Sequence, residues 1–220
     1  MRSFNPEIVF LQEVDDGVPR SGHDKQVELF GDALGMPRRA YQGNVRVKSG
    51  EYGNAILSRF PLSNIEDLDL TLRFKKRRRA LIARCTVDES QSAKVMLANC
   101  HLGLAEFERR IQLRRMLDHI GGSQLPTAGA AGAVVGGDLN DVWSSLDRVV
   151  MTPRGYQAAH CWAATFPAIR PLRTLDRIFF DGELRVKNAF VGHSVMARRA
   201  SDHLPVIVDF EMRLPTANDH

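Results

Sequence analysis

Ala133-Val134-Val135-Gly136-Gly137-Asp138-Leu139-Asn140 is an apolar run that halts on two glycines and then presents a carboxylate and an amide. Short apolar runs bounded by glycine read as buried strands, and the C-terminal end of such a strand is where ligands are met. The same form recurs at Phe10-Leu11-Gln12-Glu13-Val14 and Asn99-Cys100-His101-Leu102-Gly103. It recurs with the polar cluster leading at Ser201-Asp202-His203-Leu204-Pro205-Val206-Ile207-Val208. A cap or a satisfied hydrogen bond explains any one polar strand end. Four in one chain point to a shared reaction centre.

Working outward, apolar or alternating segments predict strands over 8–14, 53–58, 61–70, 80–87, 94–100, 133–138, 175–180 and 204–210. A helix is predicted over 21–34, stopped by Gly35 and Pro37. A second, over 104–120, places Leu104, Phe107, Ile111, Leu117 and Ile120 on one stripe and ends at Gly121-Gly122. The Gly/Ala-rich stretch 121–132 reads as a loop, and 154–173 as a long surface loop. Many short strands with two or three helices imply an α/β sandwich, with strands packed face to face and helices outside.

The chain has 220 residues, 44% of them hydrophobic and 25% charged, which supports one substantial core and one domain spanning 1–220. Thirty Lys+Arg against 26 Asp+Glu leave a net charge of +4, a mild lean toward polyanionic partners. The basic residues concentrate at 73–79, 109–115 and 198–199, each run serving equally well as a solvated face or a phosphate-facing surface. Cys85, Cys100 and Cys161 lack metal-like spacing, so reduced, packed cysteines are expected and a structural zinc site is not. No apolar run approaches the roughly 20 residues of a membrane span, and no signal-peptide hydrophobic region follows Met1. A cytoplasmic monomer is the expectation.

Hard oxygen donors such as Glu13 and Asp202 suit Mg²⁺ or Mn²⁺, which take one or two protein carboxylates and leave other positions to water and phosphate. Phosphodiester cleavage needs charge neutralisation, a positioned water and a base to take its proton. Ser201-Asp202-His203 offers a base beside a carboxylate, and Asp176 is the expected orienting partner of His203.

Six segments carry a resemblance: Leu11-Gln12-Glu13-Val14, Tyr52 to Arg59, Asn99-Cys100-His101-Leu102, Gly137-Asp138-Leu139-Asn140, Leu175-Asp176-Arg177-Ile178 and Ser201-Asp202-His203-Leu204-Pro205. In order and spacing they resemble the endonuclease/exonuclease/phosphatase (DNase I-like) superfamily, and among its members bacterial ones of unassigned substrate. The resemblance, from Pro6 to Phe210, implies a four-layer α/β/β/α sandwich of two packed mixed β-sheets flanked by helices. It implies Glu13 as principal metal ligand, Asp202 as a second, and His203 as the base, held by Asp176. Asp138 and Asn140 would position water and phosphate oxygens, and His101 would bind phosphate or assist the leaving group. Asn54 would contact substrate or satisfy a strand end, and Glu51 would pair with His101 or lie solvated in a loop. Relatives open with a strand ending in an Asn, then a helix, before the segment resembled by Pro6-Glu7-Ile8-Val9, so an N-terminally shortened domain lacking that strand and helix is expected.

The implied activity is metal-dependent hydrolysis of phosphodiesters, nuclease-like, on nucleic acid, phospholipid head groups or a small phosphoester. The alternatives are a phosphatase, and a catalytically impaired phosphate- or metal-binding module of the same fold.

Overall fold

The computed structural model describes residues 2–87, 93–122, 130–159 and 163–212. Its largest sheet has six strands: β4 (Leu62–Asp69), β5 (Arg79–Thr86), β6 (Lys94–His101), β7 (Ala130–Asp138), β9 (Asp176–Phe180) and β8 (Gln157–Ala158), in that spatial order. β6 and β7 run parallel and the other pairs antiparallel, which makes the sheet mixed. A second layer contains a three-stranded sheet in the order β1 (Ile8–Asp16), β3 (Gly50–Ser58), β2 (Arg38–Val47). The antiparallel pair β10 (Leu184–Val191) and β11 (Val206–Met212) is hydrogen-bonded separately.

Period-2 alternation builds the layers. On β5 and β6, Leu81, Ala83, Val95 and Leu97 face one way and join Ala40, Ile56, Phe10, Val208 and Phe210 in the core between sheets. Their neighbours Ala80, Ile82, Met96, Ala98 and Cys100 face the other way, onto α2 (Glu106–Gly122) through Leu113, Met116, Leu117 and Ile120. On the far side of the three-stranded sheet, Leu11, Ala55 and Leu57 pack with Val27 of α1 (Gln26–Leu34). The result is the expected α/β/β/α order, with the second β layer assembled from two separately bonded pieces.

The apolar stripe predicted on the second helix is rotated. Leu104, Phe107 and Ile111 are exposed, while Glu108, Arg109 and Gln112 are buried in its first turns. Those polar groups have partners there: the Gly103 amide donates to Gln112 Oε1 at 2.8 Å, and Lys75 Nζ lies 2.7 Å from Glu108 Oε1. β2 is absent from the sequence reading because its inward positions, Ala40, Gln42 and Asn44, are small or polar. β10 and a short helix α3 (Val195–Ala200) add to the prediction, and β8 lies inside the segment read as a loop. Cys85 and Cys100 are buried free thiols, while Cys161 and most of the Gly/Ala-rich stretch fall outside the described residues. Among the described residues no helix is long and apolar enough to cross a membrane.

Candidate active site

The polar strand ends meet at one end of the sandwich. Register places His101 opposite Asp138 across β6 and β7, and Asp138 opposite Asp176 across β7 and β9, so three ionisable residues stand side by side on adjacent strands. From the facing layer, β1 contributes Glu13. Its register against β3 shifts between Leu11 and Val14, and Glu13 itself adopts φ 55°, a left-handed conformation uncommon away from glycine. The bulge turns Glu13 toward His101, whose Nδ1 lies 3.6 Å from Glu13 Oε1 and whose Nε2 lies 3.4 Å from Asp138 Oδ2.

Asn99 fixes this junction. It follows Val95 and Leu97 in the phase that faces the inter-sheet core, yet it is fully buried and polar. Its amide donates at 2.8 Å to both the Leu11 and the Ala55 carbonyl, and its Oδ1 accepts from Gln12 at 2.6 Å. Asn99→Ala would leave both carbonyls unsatisfied at the bulge, costing about 2–6 kcal/mol at 1–3 kcal/mol each. Urea denaturation reads this directly, and a loss under about 0.5 kcal/mol would show that the bulge is held by other contacts.

His203 precedes β11, and its Nδ1 lies 2.7 Å from Asp176 Oδ2. Because a carboxylate only accepts at neutral pH, Nδ1 carries the proton and Nε2 keeps its lone pair in the neutral ring. Nε2 lies 3.9 Å from Asp138 Oδ2, toward the centre of the site. Phe166 packs on the imidazole with ring centroids 4.8 Å apart. Burial opposes protonation of His203, but the Asp176 hydrogen bond and the charges of Asp176, Asp138 and Asp202 outweigh it and carry its pKa up to about 9.

The neighbouring groups are displaced in keeping with their positions. Burial, followed by the Asp176 charge across the strand pair, pushes Asp138 up to about 6, against the pull of the Asn140 backbone N–H at 2.9 Å. Burial, together with the positive charges of Arg78, Lys76 and His203, drives His101 down to about 3, so its ring is neutral near pH 7. Asn140 adopts φ 51° and donates its amide to the Leu102 carbonyl at 3.0 Å, which ties the turn after β7 to the end of β6.

Arg78 escaped the sequence reading because it is one of five consecutive basic residues, with nothing in the string to distinguish it. It is buried, its Nε has no hydrogen-bond partner among the described residues, and the charges acting on its guanidinium include Glu13 and Asp138. A buried cation facing the carboxylates is suited to an anionic ligand. Asn54, by contrast, is closed off from the site surface: it donates to Gln42 Oε1 at 3.3 Å and to the Arg79 carbonyl at 3.1 Å. It therefore fastens β3 to the strand that begins beside Arg78, where a substrate contact was one expectation. Glu51 lies 3.9 Å from Arg46 on β2, and the carboxylates nearest His101 are Glu13 and Asp138.

Glu13, Asp138, Asp176 and Asp202 are hard donors, and the Glu13 side chain is half exposed. Among the described residues no group of three or more His, Cys, Asp or Glu side chains converges as a ready-made cage. One or two carboxylates with open room beside them fit a Mg²⁺-like ion that keeps its waters; they do not fit a closed four-ligand zinc site.

The sequence profile of the Endonuclease/Exonuclease/phosphatase family matches residues 1–203. The chain belongs to this family. It is 30% identical over 238 aligned positions to YbhP, an uncharacterized protein of Escherichia coli strain K12, an alignment covering 96% of this chain and 86% of that protein. Solved structures share the fold. An endonuclease/exonuclease/phosphatase from Beutenbergia cavernae aligns at TM-score 0.76 and 22% identity, covering 96% of this chain; the chain spans only 64% of that protein's length. D. rerio TDP2 complexed with single strand DNA product aligns at TM-score 0.70 and 21% identity, covering 96% and 88%. Bacteroides thetaiotaomicron mannosyl-6-phosphatase aligns at TM-score 0.69 and 19% identity, covering 96% and 87%. Members of the endonuclease/exonuclease/phosphatase family are phosphoester hydrolases and commonly use divalent metals.

Proposed function

We propose that this family member is a metal-dependent phosphodiesterase that attacks phosphorus with a water activated by His203. The observation that carries the reading is the 2.7 Å Asp176–His203 pair, which leaves Nε2 free to accept a proton beside Asp138. In this reading Nε2 takes the proton of the attacking water, and Asp176 holds the ring and stabilises the imidazolium that forms. Asp138 and the Asn140 amide orient the water and a phosphoryl oxygen. His101, neutral and wedged between Glu13 and Asp138, donates to a second oxygen, and the buried Arg78 neutralises the remaining charge. Glu13 and Asp202 would hold Mg²⁺ or Mn²⁺, which when bound supplies charge neutralisation at the phosphoryl group. Asp202 is exposed beside His203, where its charge acts on the ring.

A diester substrate fits the neighbouring basic residues Lys76 and Arg77, both exposed, which offer contacts to a phosphate chain beyond the scissile group. The single-strand DNA product held by D. rerio TDP2 is in keeping with a diester, whereas the mannosyl-6-phosphatase supports a monoester reading. The test compares bis(p-nitrophenyl) phosphate with p-nitrophenyl phosphate, in Mg²⁺ and in EDTA, for the wild type and Glu13→Ala. Diester turnover at least tenfold above monoester turnover, abolished by EDTA and by Glu13→Ala, is the expected result. Turnover indifferent to both treatments would overturn the metal assignment, and the reverse substrate preference would overturn the diester.

A further inference from the structure

Beside His203 the chain forms a tight projection. The Leu172 and Arg173 amides both donate to the Phe166 carbonyl at 2.9 Å, and Arg170 N donates to the Pro167 carbonyl at 3.0 Å, so residues 167–172 form a compact tip. Ala168 N donates to the Asp202 carbonyl at 2.7 Å, and Leu204 N to the Thr165 carbonyl at 2.9 Å, which fastens the tip to the edge of the site. Residues 167–169 line a shallow cleft with Arg198 to Asp202, so the end of α3 lies next to the tip.

Four aliphatic side chains on these two elements point into solvent: Ile169 is 82% exposed, Leu172 72%, Val195 73% and Met196 72%. Burying large aliphatic groups is favourable, so a concentration of them at the rim of an active site is a surface made to be covered. The charge around them is predominantly positive, with Asp202 an acidic member of the shared cleft. Arg170, Arg173, Arg198 and Arg199 are all exposed, and no acidic residue occurs in 163–175 or in 192–201.

We infer that the tip 167–172 and α3 together form a docking surface for an anionic phospholipid bilayer, which they approach with the active site facing the headgroups. Aliphatic side chains among arginines, without aromatics at the tip, match an interface where chains enter the acyl boundary and guanidinium groups meet lipid phosphates. A surface built to hold single-stranded nucleic acid places aromatic rings where bases stack, and here those positions carry Ile, Leu, Val and Met. The docking does not depend on the reaction; that the hydrolysed ester would then be a headgroup phosphodiester rests on the proposed function.

The experiment is co-sedimentation of the full chain with vesicles of phosphatidylcholine alone, or with about a third phosphatidylglycerol, at low and high salt. Partition onto the anionic vesicles that weakens with salt is expected. It should fall at least tenfold in Ile169→Asp/Leu172→Asp and in Arg198→Glu/Arg199→Glu, since each arginine near such a surface is worth about fivefold in binding. The milder Val195→Ser/Met196→Ser pair should lower it severalfold. Far-ultraviolet circular dichroism and bis(p-nitrophenyl) phosphate turnover should stay at wild-type levels in all three variants. No partition of the wild type onto anionic vesicles overturns the inference. So does binding to single-stranded DNA that needs Arg198 and Arg199 while vesicle partition ignores Ile169 and Leu172, which would mark a nucleic-acid surface. Vesicle binding without turnover of any soluble ester would leave the docking standing and overturn the hydrolase reading alone.

Discussion

Replacing His203 with alanine is expected to lower kcat for a diester by about 10²–10⁴-fold, the usual worth of a positioned general base, with KM little changed. The mechanism asks the ring to work in the transition state, where the proton leaves the water, so ground-state binding should survive its loss. Asp176→Asn separates base from orienter. Wild-type rate should climb with pH as His203 loses its proton, because only the neutral ring accepts one. Asp176 contributes the hydrogen bond and charge that help raise this pKa to about 9. Without them the pKa falls, so the rising limb moves to lower pH while the plateau drops, because the ring has lost its fixed orientation and the stabilisation of its charged form. The comparison is made at one fixed Mg²⁺ concentration, and a limb that stays in place or moves upward would remove Asp176 from the role. The same linkage acts on stability. A pKa raised above the ordinary 6.5 stabilises the fold fully below pH 6.5 and loses that contribution as pH rises through about 9.

Most of this centre was visible in the string because its residues end apolar strands, and strand ends are legible where the inward phase is aliphatic. Glu13, His101 and Asp138 terminate or interrupt such runs and Asp176 opens one, and the fold brings them to one end of the sandwich. What stayed hidden was polar in the wrong place for a pattern reader. β2 buries Gln42 and Asn44 where hydrophobic residues would have announced a strand. Asn99 sits in core phase between Leu97 and His101, and that mismatch was the available signal for its clamp on the Glu13 bulge. The α2 stripe was misplaced because Glu108, Arg109 and Gln112 find partners inside, leaving Leu104, Phe107 and Ile111 outside, against the ordinary bias of burial. Asn54 shows the converse: a residue in a recognisable segment can serve the scaffold, since its donors are spent on Gln42 and Arg79.

Gly137→Ala is expected to destabilise the fold by about 3–5 kcal/mol, a large share of the 5–15 kcal/mol that holds an ordinary domain. Gly137 sits where β7 pairs in parallel with β6, opposite Cys100, at φ 133°, a region that side-chain-bearing residues rarely enter. A Cβ there would stand 2.0 Å from the Cys100 carbonyl oxygen, and this obstacle is backbone held in the central strands of the larger sheet. Strain of about 1–3 kcal/mol at the dihedral therefore adds to a clash that only separation of the strands relieves. Gly155 isolates the first contribution, because it also has positive φ, 84°, but open space around its missing Cβ. Gly155→Ala should cost only about 1–2 kcal/mol. Equal losses in the two variants would refute the clash. The larger loss should also reach the chemistry, since the residues that would have to move apart lie one position before His101 and Asp138, whose separation of 3.4 Å sets the floor of the site. In any Gly137→Ala protein that still folds, activity should therefore fall further than the folded fraction does, measured on the same samples by diester turnover and by circular dichroism.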